Sequence, residues 1–260
     1  MEKRESPVSS VEKALNILEC FDSKNTWLTL NEISMKTGYS KTATFRMIKS
    51  FETYGYVKRD STLKEAKFSL GWAFLHKANL ITEQMNIRDL AKDDLIDLRN
   101  KTELTVQLAI RDGYEAVYIE QFESLNPIKI YSQVGKKAPL YAAAGPRVLL
   151  AYSNEQEQNQ ILANSELFAY TKNTLTDINQ IKAELLKIRE DGYAVSRGEL
   201  YEGTMEIACP VFDLNGIVAG EISIVGLESD FKEDQLEKCI NDVKLCARNI
   251  SLKLEKQNYE

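Results

Sequence analysis

The chain has 260 residues with 33 Lys or Arg against 39 Asp or Glu, a net charge of −6, and is long enough that two domains are expected. No run of about 18 apolar residues offers a membrane span, and residues 1–7 lack the apolar core of a signal peptide, so the cytoplasm is the expected compartment. Cys20, Cys209, Cys239 and Cys246 form no C-x-x-C pair, which leaves no zinc-ribbon or redox motif; no metal and no cofactor is expected.

Residues 8–22 are expected to form a first helix, with Val8, Val11, Leu15, Leu18 and Phe21 on one stripe. Thr29 and Glu32 have capping-box spacing, so a second helix is expected over 30–37, ended by Gly38, with Leu30 and Ile33 inward. Ser40 is a good N-cap for a third helix over 41–54, closed at Gly55. Placed at 100° intervals, Ala43, Met47, Ile48, Phe51 and Tyr54 of that helix face inward. Lys41, Thr42, Phe45, Arg46 and Lys49 face outward, and Thr44 falls on the core side. Short helix, tight turn and longer helix are the layout of a helix-turn-helix whose second helix enters a major groove. Residues 56–70 alternate loosely as a two-stranded wing, with Lys58 and Arg59 before its turn. Within 36–67 there are 8 Lys or Arg against 3 Asp or Glu, so the basic excess of an acidic chain coincides with this motif.

A long helical stretch over 72–101 is expected in two pieces. Trp72, Leu75, Ala78, Leu80, Ile81 and Met85 stripe the first; Ile87, Leu90, Ala91, Leu95 and Leu98 stripe the second. His76, the only histidine, lies here with no nucleophile pattern nearby, so no catalytic role is expected of it. Beyond it, strands over 104–112 and 115–123 meet at Asp112-Gly113, and another strand covers 128–134. Helices follow over 142–152, 154–163 and 177–190, the last with Ile178, Ile181, Leu185 and Ile188 inward and Gly192 as C-cap. A loop from Ser196 to Gly203 leads to strands over 205–212 and 217–225, joined at Asn215-Gly216. A helix over 230–255 closes the chain. Hairpin strands with helices before and between them predict an α+β sensor-like domain on an antiparallel sheet.

The layout resembles the IclR family of bacterial transcriptional regulators. Val-Glu-Lys-Ala-Leu-Asn-Ile-Leu at 11–18 is similar to that family's opening helix. Residues 41–48 with Gly55-Tyr56-Val57 resemble its recognition helix and the start of its wing. Gly71-Trp72 resembles the start of its linker helix, and Gly135 to Gly145 its ligand-domain loop and helix start. Gly192-Tyr193-Ala194, Glu199, Gly203, residues 207–211 and Ile222-Ser223-Ile224 resemble a second signature. The resemblance implies a winged helix-turn-helix head over 1–70, a linker helix over 71–88, and a GAF-like effector-binding and oligomerisation domain over 89–260. It also implies a homodimer or tetramer on double-stranded operator DNA, and a small-molecule metabolite effector such as an organic or aromatic acid. The implied effector pocket falls on Ala138, Ala144, Gly145, Ser196, Thr204, Glu206, Ser223 and Val225. Two departures stand out: Pro146-Arg147 occupies the family's common Gly-Lys, and Glu206 replaces a residue that is often neutral. A carboxylate there disfavours an anionic ligand unless Arg147, Lys136 or a proton compensates.

The expected function is therefore a DNA-binding transcriptional regulator, not an enzyme, switched by an effector. DNA contacts are expected from Ser40, Lys41, Thr42, Phe45, Arg46, Lys49, Lys58 and Arg59, with Arg46 reading bases and the lysines meeting phosphates. Two alternatives remain open at this point. One is an enzyme using a carboxylate pair such as Glu202 and Glu206, although no glycine-rich phosphate loop or nucleophile elbow is present. The other is a winged helix that binds protein.

Overall fold

A computed structural model describes residues 9–62, 65–82, 86–126, 134–231 and 235–257. The chain divides into two compact units, Met1–Gln84 and Met85–Glu260.

The first unit contains α1 (Ser9–Leu18), β1 (Leu28–Thr29), α2 (Leu30–Thr37), α3 (Lys41–Thr53), β2 (Val57–Asp60), β3 (Lys67–Leu70) and α4 (Ala73–Thr82). Its helix ends follow the local chemistry. Thr29 and Glu32 form a reciprocal capping box, and Gly38 closes α2 at φ 71°. Ser40 Oγ accepts from the Ala43 amide at 3.3 Å. Gly55 turns the chain after α3 at φ 74°, and the Tyr56 amide reaches back to the Phe51 carbonyl at 2.9 Å. The wing is antiparallel, Val57 opposite Leu70 and Asp60 opposite Lys67. A short third strand, β1, pairs with β3 and was not expected; two residues give too little periodicity to read.

Ile17, Leu28, Ile33, Ile48, Val57 and Phe68 form the core of this unit. The stripe expected along the first helix is corrected. The helix stops at Leu18, Val11 is 55% and Leu15 53% exposed, and Ile17 is the residue that is buried. Only the last turn of α1 reaches this small core. Tyr54 is also exposed rather than inward, because it is the C-cap of α3 and its backbone has left helical geometry. Trp72, Leu75, Leu80 and Ile81, expected as an apolar stripe, are exposed in the single chain.

The second unit contains α5 (Asn86–Thr102), β4 (Thr105–Asp112), β5 (Glu115–Phe122), β6 (Lys137–Pro139), α6 (Ala144–Ala151), α7 (Glu155–Asn164), α8 (Ile178–Asp191), β7 (Ala194–Arg197), β8 (Thr204–Phe212), β9 (Val218–Leu227) and α9 (Leu236–Gln257). The sheet has the order β6-β5-β4-β9-β8-β7 with every neighbouring pair antiparallel. Both expected hairpins form. The strand expected over 128–134 falls almost wholly on residues 127–133, outside the described residues. The expected loop from Ser196 begins instead as edge strand β7, with Ser196 opposite Glu206. Ile178 is 41% exposed rather than inward, since it is the first residue of α8, whose apolar side begins at Ile181.

Alternation along the central strands separates two faces. Val106, Leu108, Met205, Ile207, Cys209, Ile222 and Ile224 pack on one side with Leu95 and Leu98 of α5 and Val243 and Ile250 of α9. The opposite side places Gln107, Glu206, Ser223 and Glu221 on paired positions and faces the start of α6.

Candidate functional site

Two groups of residues carry chemistry, one in each unit. On α3, Lys41, Thr42, Arg46 and Lys49 are exposed, and the Phe45 ring is 43% exposed beside them. Thr44 is fully buried, and its hydroxyl donates to the Ser40 carbonyl at 3.1 Å, as the helical wheel required. The Ser40 hydroxyl caps the helix that carries these groups. Lys49 is tied to Glu52 on its own helix at 3.0 Å. On β2, Lys58 is held against two rings, with Nζ 5.1 Å from the Trp27 centroid and 5.2 Å from that of Trp72. Arg59 beside it is exposed. The result is a set of exposed cations on a capped helix and on strand β2, with one apolar ring on the helix. Such a surface can meet phosphates and base edges. The Trp27–Lys58–Trp72 stack was not legible in the sequence, because the three residues are distant along the chain.

The second group surrounds the start of α6. Ala143 precedes that helix at φ 70°, ψ 169°, with no side-chain cap, in a region that non-glycine residues rarely occupy. Its amide donates to Glu199 Oε2 at 3.3 Å. The Ala144 amide donates to Ser196 Oγ at 3.1 Å and to Glu206 Oε2 at 3.0 Å. Glu199 also grips Arg147 with both oxygens, Nη2 to Oε1 at 2.6 Å and Nη1 to Oε2. Arg147 is 1% exposed. This bidentate pair fixes the β7–β8 loop to α6.

A cleft lies on this polar face, lined by Gln107, Tyr118, Ala143, Ser196, Glu199, Leu200, Tyr201, Thr204, Glu206 and Val225. It has a volume of about 30 Å³. A neighbouring cavity of about 130 Å³ shares Tyr118, Leu200 and Tyr201 with it and adds Ala138, Lys136 and Tyr170. Among the residues expected in an effector pocket, Ser196, Thr204, Glu206 and Val225 line the cleft, and Ala138 lines the neighbouring cavity. Ala144, Gly145 and Ser223 are buried behind the lining. Gly145 is required by close approach: a Cβ there would lie 2.6 Å from Glu221 Oε1. Gln107, Tyr118, Ala143, Glu199, Leu200 and Tyr201 were not anticipated. Gln107 could have been found from the alternation of polar and apolar residues along β4. Tyr118 could not, because a bulge between Leu108 and Ala109 pairs it with Ala109 and re-aims it.

The electrostatics of the cleft are unusual. Glu206 is 6% and Glu221 0% exposed. Burial raises the Glu206 carboxyl above its usual pKa; the nearby Ser223 hydroxyl and the amides of Ala144 and Gly145 act the other way. Burial, reinforced by the charge of Glu206, pushes Glu221 well above the ordinary range. Glu206 Oε1, both oxygens of Glu221 and Ser223 Oγ make no well-formed hydrogen bond. Glu202, the other half of the conceivable acid–base pair, is exposed on the loop while Glu206 is buried in the sheet. Among the described residues no group of His, Cys, Asp and Glu could hold a metal ion, and no helix is long and apolar enough to cross a membrane.

Comparison with known proteins agrees with this architecture. Residues 10–61 match the IclR helix-turn-helix domain, and residues 79–252 match the bacterial transcriptional regulator IclR C-terminal domain. The chain is similar to the HTH-type transcriptional regulator KipR of Bacillus subtilis, 35% identical over 245 residues, which is 94% of this chain and 96% of KipR. It is 29% identical to the HTH-type transcriptional regulator KdgR of Escherichia coli over 259 residues, 100% and 97% of the two chains. The Thermotoga maritima IclR crystal structure superposes with a TM-score of 0.81 at 32% identity, covering 95% of this chain and 98% of that one. An IclR homologue from Microbacterium hydrocarbonoxydans, complexed with 4-hydroxybenzoate, has the same fold, with a TM-score of 0.80 at 19% identity over 94% and 98% of the chains. With both units matched and KipR aligned almost from end to end, this protein belongs to the IclR family of transcriptional regulators.

Proposed function

We propose that the regulator reads an operator through α3 and the wing, and that a small molecule seated in the cleft of the second unit switches its affinity. Residues 1–70 act as the DNA-binding head, 71–88 as the linker and 89–260 as the effector-binding and oligomerisation domain. The observation that carries the reading is the capped helix α3 with Lys41, Thr42, Phe45, Arg46 and Lys49 on its open face. Arg46 reads a base edge, while Ser40, Lys41, Lys49, Lys58 and Arg59 hold phosphates. Two heads in a homodimer, or in a tetramer built from dimers, require a roughly palindromic site. The exposed Trp72, Leu75, Leu80 and Ile81 support self-association through the linker. The cytoplasm is the compartment where such a protein meets its operator.

The effector site comprises Ser196, Thr204, Glu206 and Val225 at the cleft, Ala138 at the adjoining cavity, and Ala144, Gly145 and Ser223 behind them. The 4-hydroxybenzoate complex of the distant homologue supports a small organic molecule as the ligand. Switching requires the ligand to bind one head arrangement more tightly than the other.

Selection of binding sites from a random duplex pool tests the DNA reading. The wild type is expected to enrich an inverted repeat with affinity that falls steeply with salt. Arg46→Ala is expected to lose about 1–3 kcal/mol of discrimination at one base pair per half-site. Unchanged sequence preference in Arg46→Ala removes the base-reading role, and failure to enrich any repeat removes the operator reading.

A further inference from the structure

The wall of the cleft is acidic, with Glu206 in its lining and Glu221 buried on the same sheet face. Glu206 Oε1 lies unpartnered in the lining of the cleft. Glu221 and Ser223 lie on the same sheet face at 0% exposure, and the Ser223 hydroxyl, near both carboxyls, can donate to only one of them at a time. Arg147 turns both terminal nitrogens to Glu199, leaving only its buried Nε without a partner. The backbone amides at the start of α6 already serve acceptors of this chain, Ala143 to Glu199 and Ala144 to Ser196 and Glu206, with the Gly145 amide acting on Glu206 as well. A carboxylate ligand would have to displace Glu206 from the helix start and then lie against it. An ionised Glu206 without a counter-charge is costly in this buried wall, so the partner that suits it is a cation that also donates a hydrogen bond.

We propose that the cleft recognises its effector through a donor nitrogen, an ammonium or amidinium group, seated on Glu206 Oε1 with Ser223 behind it. This rests on the effector reading above and narrows it away from the organic or aromatic acid implied by family resemblance. The inner volume of about 30 Å³ matches the space of about one water molecule, enough for one charged head group. The ligand body extends past Tyr118 and Leu200 toward Tyr170 and Tyr201, whose rings suit an apolar or aromatic frame. The charged and titratable groups facing Glu206 are Glu221 from β9, Tyr118 from β5, and the Glu199–Arg147 pair from the β7–β8 loop and α6. Lys136 stands at the outer cavity, where Tyr201 engages it at 2.7 Å. A cation needs Glu206 ionised, and burial favours its protonated form in the empty cleft. Binding therefore releases a proton and strengthens as pH rises through the raised pKa of that carboxyl.

The test uses matched planar probes, benzamidine against benzoate and methylammonium against acetate, titrated calorimetrically into the full chain. Benzamidine is expected to bind more tightly than benzoate, to release protons in buffers of different ionisation enthalpy, and to lose at least tenfold affinity in Glu206→Gln. Ser223→Ala gives a milder second variant in case the first folds poorly, and exposed Glu202→Gln serves as an unchanged control. Tighter binding of benzoate, proton uptake, or full benzamidine affinity in both Glu206→Gln and Ser223→Ala overturns the proposal. Absence of binding by benzamidine and methylammonium overturns it too. In that case operator release by any member of a metabolite panel keeps the effector reading, and release by none removes that reading as well.

Discussion

Helix α3 begins on Ser40, whose own hydroxyl takes an orphan amide three residues ahead. Helix α6 begins on Ala143, which has no group to cap with, and its first amides are served by Ser196, Glu199 and Glu206 from more than fifty residues away. The first start is made by neighbours in sequence, and the outer face of α3 is exposed. The second is served only by groups that β7, β8 and their loop bring against it. A self-contained terminus holds its shape independently of the rest of the fold, whereas a terminus assembled by distant groups depends on it.

The sharpest way to break the second start is Arg147→Ala. It leaves Glu199 buried without its bidentate partner, and losing one member of a buried pair costs about 3–5 kcal/mol. Chemical denaturation should show the second unit destabilised by this amount; a loss below about 1 kcal/mol would mean that the pair does not hold α6. Next is Ala143→Gly, which keeps the amide to Glu199 but relieves a backbone conformation that costs an alanine about 1–3 kcal/mol. A rise in the unfolding midpoint is expected, and a fall would show that the Ala143 methyl matters more than its strained backbone. The smallest effect is Ser40→Ala, a lost N-cap worth about 1 kcal/mol. It should lower the stability of the first unit while leaving small-molecule binding untouched. If it weakened probe binding in the cleft as strongly as Glu206→Gln, the contrast between a local and a distributed helix start would fail.

The head was legible because its signals are local. Thr29 and Glu32, Gly38, Ser40 and Gly55 each act within a few residues, and a 100° wheel is enough to set Thr44 inward and Arg46 outward. Where local signals were thin, the reading slipped. Val11 and Leu15 have the right spacing for a buried stripe, yet the core of a small unit ends before it reaches them. The stripe at Trp72, Leu75, Leu80 and Ile81 is apolar in pattern but exposed in the single chain.

The helix-turn-helix with its caps and both central hairpins were readable from the chain alone, whereas Glu206 and Ser223 were placed only by the family resemblance. Capping, turn chemistry and period-two patterning all operate between near neighbours, so they survive without knowledge of the fold. Only the tertiary structure decided that Glu199 clasps Arg147, that a bulge turns Tyr118 into the cleft, and that Glu206 and Glu221 are buried with unpartnered oxygens. Those outcomes depend on which strands lie side by side and on how much water is excluded between them. Neither is written in any short stretch of chain, and both shape the start of α6.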